Sequence, residues 1–345
     1  VLTDFAKYVQ DFDPDILYGY NLIGYDIPQI LHRASFHGLR NYKKLLNRDG
    51  TNYGWSPPKD SKDLRMKAGG RIIFDVLRHT RRDYALSGQG RGLKAVSRHF
   101  GLDPIELDFG DKVLLDYPLS EIHDYVLSDV DCTKYLFENY YPQVEYTAEL
   151  LGVPLEAYVN SPNSYVTKIL QGRKLYEQGI VTVDINKDRH PEIYREDKGN
   201  FQAAHIELYE PGYHETNYKI DFASFYPSIA MALNLGPDTT RIVGYEPYKE
   251  SIDFDGTFIY IPDNKIGKRV KIQIDTDRKS SLYEMSKQFK EMRAPYKALK
   301  TKEAKSKSNA LKIMVNTFYG SNTNPYINYG DMASGVTITA VARSL

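Results

Sequence analysis

Tyr218-Lys219-Ile220-Asp221-Phe222-Ala223-Ser224-Phe225-Tyr226-Pro227-Ser228-Ile229 reads as a strand ending near a carboxylate, then a tight turn, then a helix with proline in its first turn. That helix runs on to Leu233 and is ended by Asn234 to Pro237. A carboxylate at this place suits a hard cation such as Mg²⁺. The N–H groups of the turn Ala223 to Tyr226 and the positive helix end favour phosphate without basic side chains. Alone, the same pattern also describes an aspartate that merely caps a helix.

Downstream, Lys312-Ile313-Met314-Val315-Asn316-Thr317-Phe318-Tyr319-Gly320 places Lys312, Asn316 and Tyr319 four and three residues apart, on one helix face. Arg293 and Lys297 are likewise four apart. They lie inside a basic run, Lys287 to Lys312, that holds nine Lys or Arg against two acids. Two such helices side by side form a triphosphate clamp, the arginine suited to bidentate contact and the lysines acting as point charges. Each pair taken singly also fits a solvated amphipathic hairpin.

Upstream, Asn21-Leu22-Ile23-Gly24-Tyr25-Asp26 follows a strand-like Ile16 to Tyr20, and Tyr125-Val126-Leu127-Ser128-Asp129 comes about a hundred residues later. Metal-assisted phosphodiester hydrolysis needs such groups: Asp26 and Asp129 to hold Mg²⁺ and Tyr125 to orient the attacking water. A turn asparagine and an exposed helical aspartate are the plainer alternatives.

The whole chain has 345 residues, 45 Lys+Arg against 45 Asp+Glu, 41% hydrophobic and 26% charged. This is apolar material for two or three domains, and it excludes a disordered chain. No stretch is long and apolar enough for a bilayer crossing, and the first residues have no signal-peptide pattern, so a soluble protein without membrane association is expected. The single cysteine, Cys132, fits a reducing compartment, the cytoplasm or a host cytoplasm if the source is viral. A start at Val1 and an end within helical sequence at Leu345 suggest a piece of something longer. The neutral total hides an acidic segment, Asp103 to Asp131, with nine acids and one lysine. Twenty-nine tyrosines against one tryptophan supply rings for packing on bases or sugars, or for a tyrosine-rich core.

Strands alternating with helices make residues 1–150 an α/β domain. Within it, 41–70 reads as a surface insertion closed by the strand Arg71 to Val76, and 91–140 as mostly helical. Residues 241–275 alternate as hairpin strands, and 281–320 form two helical stretches.

Taken together, the motifs resemble those of the family B DNA polymerases. Asp221 to Ile229 is similar to motif A, Asp-x-x-Ser-Leu-Tyr-Pro-Ser, with Phe225 for Leu. Lys312 to Gly320 is similar to motif B, Lys-x-x-x-Asn-Ser-x-Tyr-Gly, with Thr317 for Ser. Asn21 to Asp26 resembles the second exonuclease motif and Tyr125 to Asp129 the third, and Phe201-Gln202-Ala203-Ala204 matches by position the linker between the two activities.

The resemblance implies a multidomain α/β plus α+β chain. A partial ribonuclease H-like 3′-5′ exonuclease domain (1–150) precedes a linker and N-terminal palm (151–215). The palm with motif A (216–250), helical fingers with motif B (251–320) and the start of a returning palm (321–345) follow. It further implies a DNA-directed DNA polymerase with proofreading, two Mg²⁺ ions per active site, replaceable by Mn²⁺, and primer-template DNA and dNTPs as partners. Asp221, with the Phe222 carbonyl, would bind metal. Ser224 and Phe225 amides, Arg293, Lys297, Lys312 and Asn316 would bind the triphosphate, and Tyr226 would be the steric gate against ribose. Asn21, Tyr319 and Gly320 would touch DNA, and Asp26 and Asp129 would hold the nuclease metals.

Two family motifs are not found. The first exonuclease motif, Asp-x-Glu, is absent from residues 1–20, and Tyr-x-Asp-Thr-Asp does not follow Gly320. Asp275-Thr276-Asp277 precedes motif B, lacks the tyrosine and reads as a turn before a helix starting near Ser280. Pro295 between Arg293 and Lys297 interrupts a smooth helix. The expectation is therefore a polymerase portion with negligible activity by itself. The alternatives are one subunit of a split enzyme, whose partner chain carries the missing motif, and a non-catalytic primer-template-binding relic. A sliding clamp, or the partner chain that carries the missing motif, is the further partner this reading admits. About ninety residues between motifs A and B favour a nucleic-acid primer over a protein one.

Overall fold

The computed structural model describes residues 1–56, 65–162, 164–180, 202, 205, 207, 209–218, 220–222, 224–322 and 330–345. The chain divides into two compact units, Val1–Ser161 and Pro162–Leu345.

The first unit is built on a short sheet of order β1-β3-β2. Strand β1 (Ile16–Gly19) pairs parallel with β3 (Arg71–Asp75), and β2 (Lys67–Ala68) pairs antiparallel with it. Alternation along β3 supplies two cores. Ile73 faces α1 (Leu2–Phe12), α2 (Ile27–Phe36) and α3 (Tyr42–Leu46), with Val9, Ile27 and Leu46 buried beside it. Phe74 faces the other way, toward α4 (Val76–Arg82), α5 (Leu93–His99), the long α6 (Leu119–Leu151) and α7 (Leu155–Val159). There it joins Val96, Leu136 and Val144.

The described residues of 41–70, which are 41–56 and 65–70, are not a surface insertion. Tyr42, Leu46, Trp55, Met66 and Ala68 are all buried in the first core, and Asn47 and Trp55 hydrogen-bond each other there. The polar residues that suggested a loop sit between these anchors. Five apolar or aromatic side chains scattered without periodicity escape a pattern search yet anchor the described parts of the segment in the core.

In the second unit, helix α8 (Tyr165–Glu177) and helix α9 (Phe225–Ala232) precede an antiparallel sheet. Its order is β4-β7-β6-β5, from β4 (Thr240–Pro247), β5 (Asp253–Phe254), β6 (Phe258–Asp263) and β7 (Lys268–Ile274). The pairing of β4 with β7 joins residues on either side of position 250. The hairpin reading of 241–275 matches these strands. Ile259, Ile261, Val270 and Ile272 bury one face, on which α12 (Met332–Ser344) packs. Helices α10 (Ser281–Ala298) and α11 (Lys302–Asn322) form an antiparallel pair closed by Met285, Phe289, Leu311, Met314 and Phe318.

A buried knot ties α9 to α10. Asn234, in the left-handed region at φ 54°, donates from Nδ2 to the Asp275 and Arg278 carbonyls at 2.8 Å and accepts the Ser280 N–H at 2.9 Å. Ser280 in turn caps α10 through Tyr283 N. A side chain at Gly236 would meet Ser280 Cβ at 2.8 Å, so only glycine fits beside the knot. Asp275 and Asp277 lie in this turn, as their spacing predicted, with Asp277 N donating to Asp275 Oδ1.

Candidate functional sites

In the second unit the residues of both polymerase motifs meet around the first turn of α9. Ser224, the helix N-cap, is left-handed at φ 52° and makes no side-chain cap, so the first N–H groups of α9 point outward without an internal partner. Phe222 stacks on Phe225 with centroids 4.7 Å apart. The Tyr226 ring then lies 4.4 Å from Tyr319 on α11. Lys290 of α10 donates to Ser228 Oγ at 3.2 Å, so α10, too, reaches α9.

Asp221 is exposed and has no partner among the described residues. Of the strand expected over 218–222, the described residues 218 and 220–222 form no strand. Ala223 and Lys219 fall outside the described residues, and Tyr218 and Ile220 are 91% and 90% exposed with no neighbouring strand among those described. A strand needs a ladder of hydrogen bonds to a partner, which local sequence pattern does not supply.

Lys297, Lys312 and Asn316 are exposed and unpartnered among the described residues, whereas Arg293 is committed. Its Nε donates to both the carbonyl and Oγ of Ser308 at 3.1 Å, tying α10 to α11. Helix α10 continues through Pro295, so the proline does not separate Arg293 from Lys297. Both acids of the basic run are neutralised locally, Glu291 by Lys287 and Glu303 by Lys307, and Glu284 earlier in α10 pairs with Lys174 of α8. Lys297 and Lys312 therefore face solvent with no acid paired to them among the described residues. Gly320 is exposed two turns beyond Lys312 on the same helix.

Arg343 of α12 was not anticipated. It donates to the Gln202 carbonyl at 2.6 Å and the Pro262 carbonyl at 3.3 Å, and Gln202 Oε1 accepts Asn264 N. Gln202 belongs to the linker-like stretch, whose Phe201, Ala203 and Ala204 lie outside the described residues.

In the first unit Asn21 and Asp26 follow the carboxyl end of β1, beside that of β3, where open α/β sheets bind ligands, whereas Tyr125 and Asp129 lie on α6 and share no contact with Asp26 among the described residues. Asn21 is left-handed at φ 62°, and Leu22–Asp26 forms a wide π-helical turn closed from Ile27 N to the Leu22 carbonyl. This geometry is held by Asp75, which the sequence reading missed. The Asp75 carboxylate is 1% exposed and accepts N–H bonds from Asn21 at 3.1 Å, Ile23 at 2.9 Å and Leu77 at 3.0 Å. Burial outweighs these bonds and raises its pKa to about 6. Asp26 is exposed along one edge, yet desolvation of its carboxyl also raises its pKa.

Asp129 and Tyr125, one turn apart on α6, share a second unanticipated residue. Lys94 on α5 forms an ion pair with Asp129 and lies over the Tyr125 ring, 4.4 Å from its centroid. No sequence signal links residues 35 apart on two helices. An aspartate closing an apolar strand before a helix, as Asp75 does, is by contrast a legible N-cap signature.

Residues 161–340 match the family model for DNA polymerase family B, and residues 1–96 match that for the exonuclease domain of the same family. The chain belongs to DNA polymerase family B. It is 25% identical over 324 residues to a DNA polymerase of Pyrococcus glycovorans, covering 93% of this chain and 40% of that polymerase. To the DNA polymerase delta catalytic subunit of Oryza sativa subsp. japonica it is 26% identical over 348 residues, covering 93% of this chain and 30% of that subunit. The solved family B DNA polymerase from Pyrobaculum calidifontis matches all of this chain and 43% of its own, with a TM-score of 0.71 at 22% identity. The chain thus spans at most about 40% of the curated relatives named here.

Family B polymerases depend on divalent metal. Here Asp221, Asp26 and Asp129 are hard oxygen donors of the right kind, but among the described residues they are too few to complete a site. Among the described residues no group of three or more Asp, Glu, His or Cys could hold an ion, and one oxygen of Asp129 is taken by Lys94. No described helix is long and apolar enough to cross a membrane.

Proposed function

We propose that this chain is the exonuclease, palm and fingers portion of a DNA-directed DNA polymerase that adds dNTPs to a primer on a template and proofreads with a 3′-5′ exonuclease. The contact of Tyr226 with Tyr319 carries the reading, because it puts a motif A ring and a motif B ring side by side beneath outward-pointing N–H groups. Lys297, Lys312, Asn316 and the Nη groups of Arg293 would hold the triphosphate, with the Ser224 and Phe225 amides. Tyr226 would exclude a ribose 2′-OH, and Tyr319 and Gly320 would lie along the nascent pair. In the first unit Asn21 would contact the DNA strand and Tyr125 would orient the attacking water.

When bound, two Mg²⁺ ions, or Mn²⁺, would supply charge stabilisation at phosphate. Asp221 with the Phe222 carbonyl, and Asp26 with Asp129, would each give part of a donor set. The divisions 1–150, 151–215, 216–250, 251–320 and 321–345 are proposed as exonuclease, linker with N-terminal palm, motif A palm, fingers and returning palm. The buried free thiol of Cys132 supports a cytoplasmic setting. Nucleotide binding tests the proposal. Titrating the chain with a dNTP should give saturable binding that Lys312→Ala and Asn316→Ala weaken; binding indifferent to both refutes the fingers assignment.

A second reading, in which the chain works with a partner chain carrying the missing carboxylates, is favoured by one observation. Tyr218, Ile220 and Phe222 are all exposed beside Asp221, as a strand awaiting a neighbour would be. A sliding clamp is the further partner this reading admits.

A further inference from the structure

Lys94 belongs to none of the motifs, yet its ammonium has three protons to donate and a recipient for each. These are Asp129 Oδ1, the Ile105 carbonyl at 2.6 Å and the face of the Tyr125 ring. The cage is assembled from three places: the first turn of α5, the loop that follows it, and one turn of α6. Ile105 is itself fixed from the other side, its N–H donating to Ser128 Oγ at 2.9 Å. The Lys94 and Asp129 side chains keep only 18% and 30% of their exposure, so water screens the pair incompletely.

We propose that Lys94 is a resident cation of the nuclease site, occupying on Asp129 the place of a divalent ion and having to be displaced before that ion binds. The inference rests on the reading of Asp129 as a metal ligand. An oxygen held by an ammonium is withdrawn from a metal, and the ammonium repels an approaching dication; both effects lower metal affinity. With no ion bound, the same ammonium keeps Tyr125 and Asp129 in one arrangement.

The test is a Mn²⁺ titration of the full chain, read by the electron paramagnetic resonance of free Mn²⁺. Lys94→Met should bind Mn²⁺ roughly tenfold more tightly than the native chain, the order expected from removing a unit charge beside a dication. The gain should vanish in the Lys94→Met, Asp129→Asn double variant, and Lys94→Arg, which keeps the charge, should stay near the native affinity. Equal or weaker binding by Lys94→Met, with Asp129→Asn still impairing binding, overturns the resident cation and leaves Asp129 a ligand. Mn²⁺ binding that Asp129→Asn does not change overturns both. Fluorescence of Trp55, the only tryptophan, reports whether each variant is folded, and Lys94→Gln makes the same comparison if Lys94→Met is not.

Discussion

The Tyr226 ring lies 4.4 Å from that of Tyr319, inclined by 33°, so the first turn of α9 and the far part of α11 share an aromatic contact. Burial and the neighbouring Tyr226 push the Tyr319 hydroxyl up to about 12, so it remains a neutral donor at any working pH. A pair of this kind is worth about 0.5–1.5 kcal/mol beyond its buried area. Tyr226→Leu and Tyr319→Leu should therefore couple by about 1 kcal/mol in a double-mutant cycle of thermal unfolding. Strict additivity would show that the rings do not support each other. On the proposed polymerase reading, Tyr226→Ala should relax the preference for dNTP over rNTP, and an unchanged preference removes Tyr226 from the gate.

Asp75 gives a prediction with a defined sign. Its pKa in the fold, about 6, lies above the ordinary 3.8, so the folded state binds the proton more tightly than the unfolded chain. The stability it contributes is full below the ordinary value and is lost as pH rises through about 6, a change of roughly 3 kcal/mol at the limit. Asp26 shifts in the same direction, while buried His79, held well below its usual pKa, acts oppositely. The decisive quantity is thus the difference between native protein and Asp75→Asn. Followed by Trp55 fluorescence in urea, the deficit of Asp75→Asn should be largest near pH 4 and shrink toward pH 7. A deficit independent of pH would mean that Asp75 titrates normally.

The cations proposed to hold the triphosphate separate into two kinds. Lys297 and Lys312 are exposed and unpartnered among the described residues, so alanine there should leave the melting temperature unchanged while weakening dNTP binding several-fold. Arg293→Ala should do both, losing about 1–2 kcal/mol of stability with its two bonds to Ser308. Calorimetric dNTP titrations paired with melting curves distinguish the classes. A destabilised Lys312→Ala, or an Arg293→Ala of native stability, would contradict the division.

How far the sequence reveals this molecule depends on the distance over which each feature is fixed. The turn at Ser224, the helix at Lys312 and the hairpins of 241–275 are local, and their patterns are visible residue by residue. The burial of Trp55 and Met66, the engagement of Arg293 by Ser308 and the pairing of Lys94 with Asp129 depend on elements brought together from elsewhere. The reading of 218–222 as a strand fails in the same way, since Tyr218 and Ile220 have strand character but no strand beside them among the described residues. Asp75 stands between: its cap to Leu77 is local, but its grip on Asn21 and Ile23 exists only because β1 and β3 are parallel neighbours.

Asp221 makes the sharpest demand. In-line attack at the α-phosphate requires carboxylates on both sides of the metal pair, and Asp221 is exposed with no acidic cluster around it among the described residues. The purified chain should therefore extend a primed template negligibly in Mg²⁺, and Asp221→Ala should melt at the native temperature because the carboxylate holds nothing in place. Adding a chain that bears the missing carboxylates should restore extension to the native protein but not to Asp221→Ala. Extension by the native chain alone, abolished by Asp221→Ala, would show that a second carboxylate is already supplied within these 345 residues.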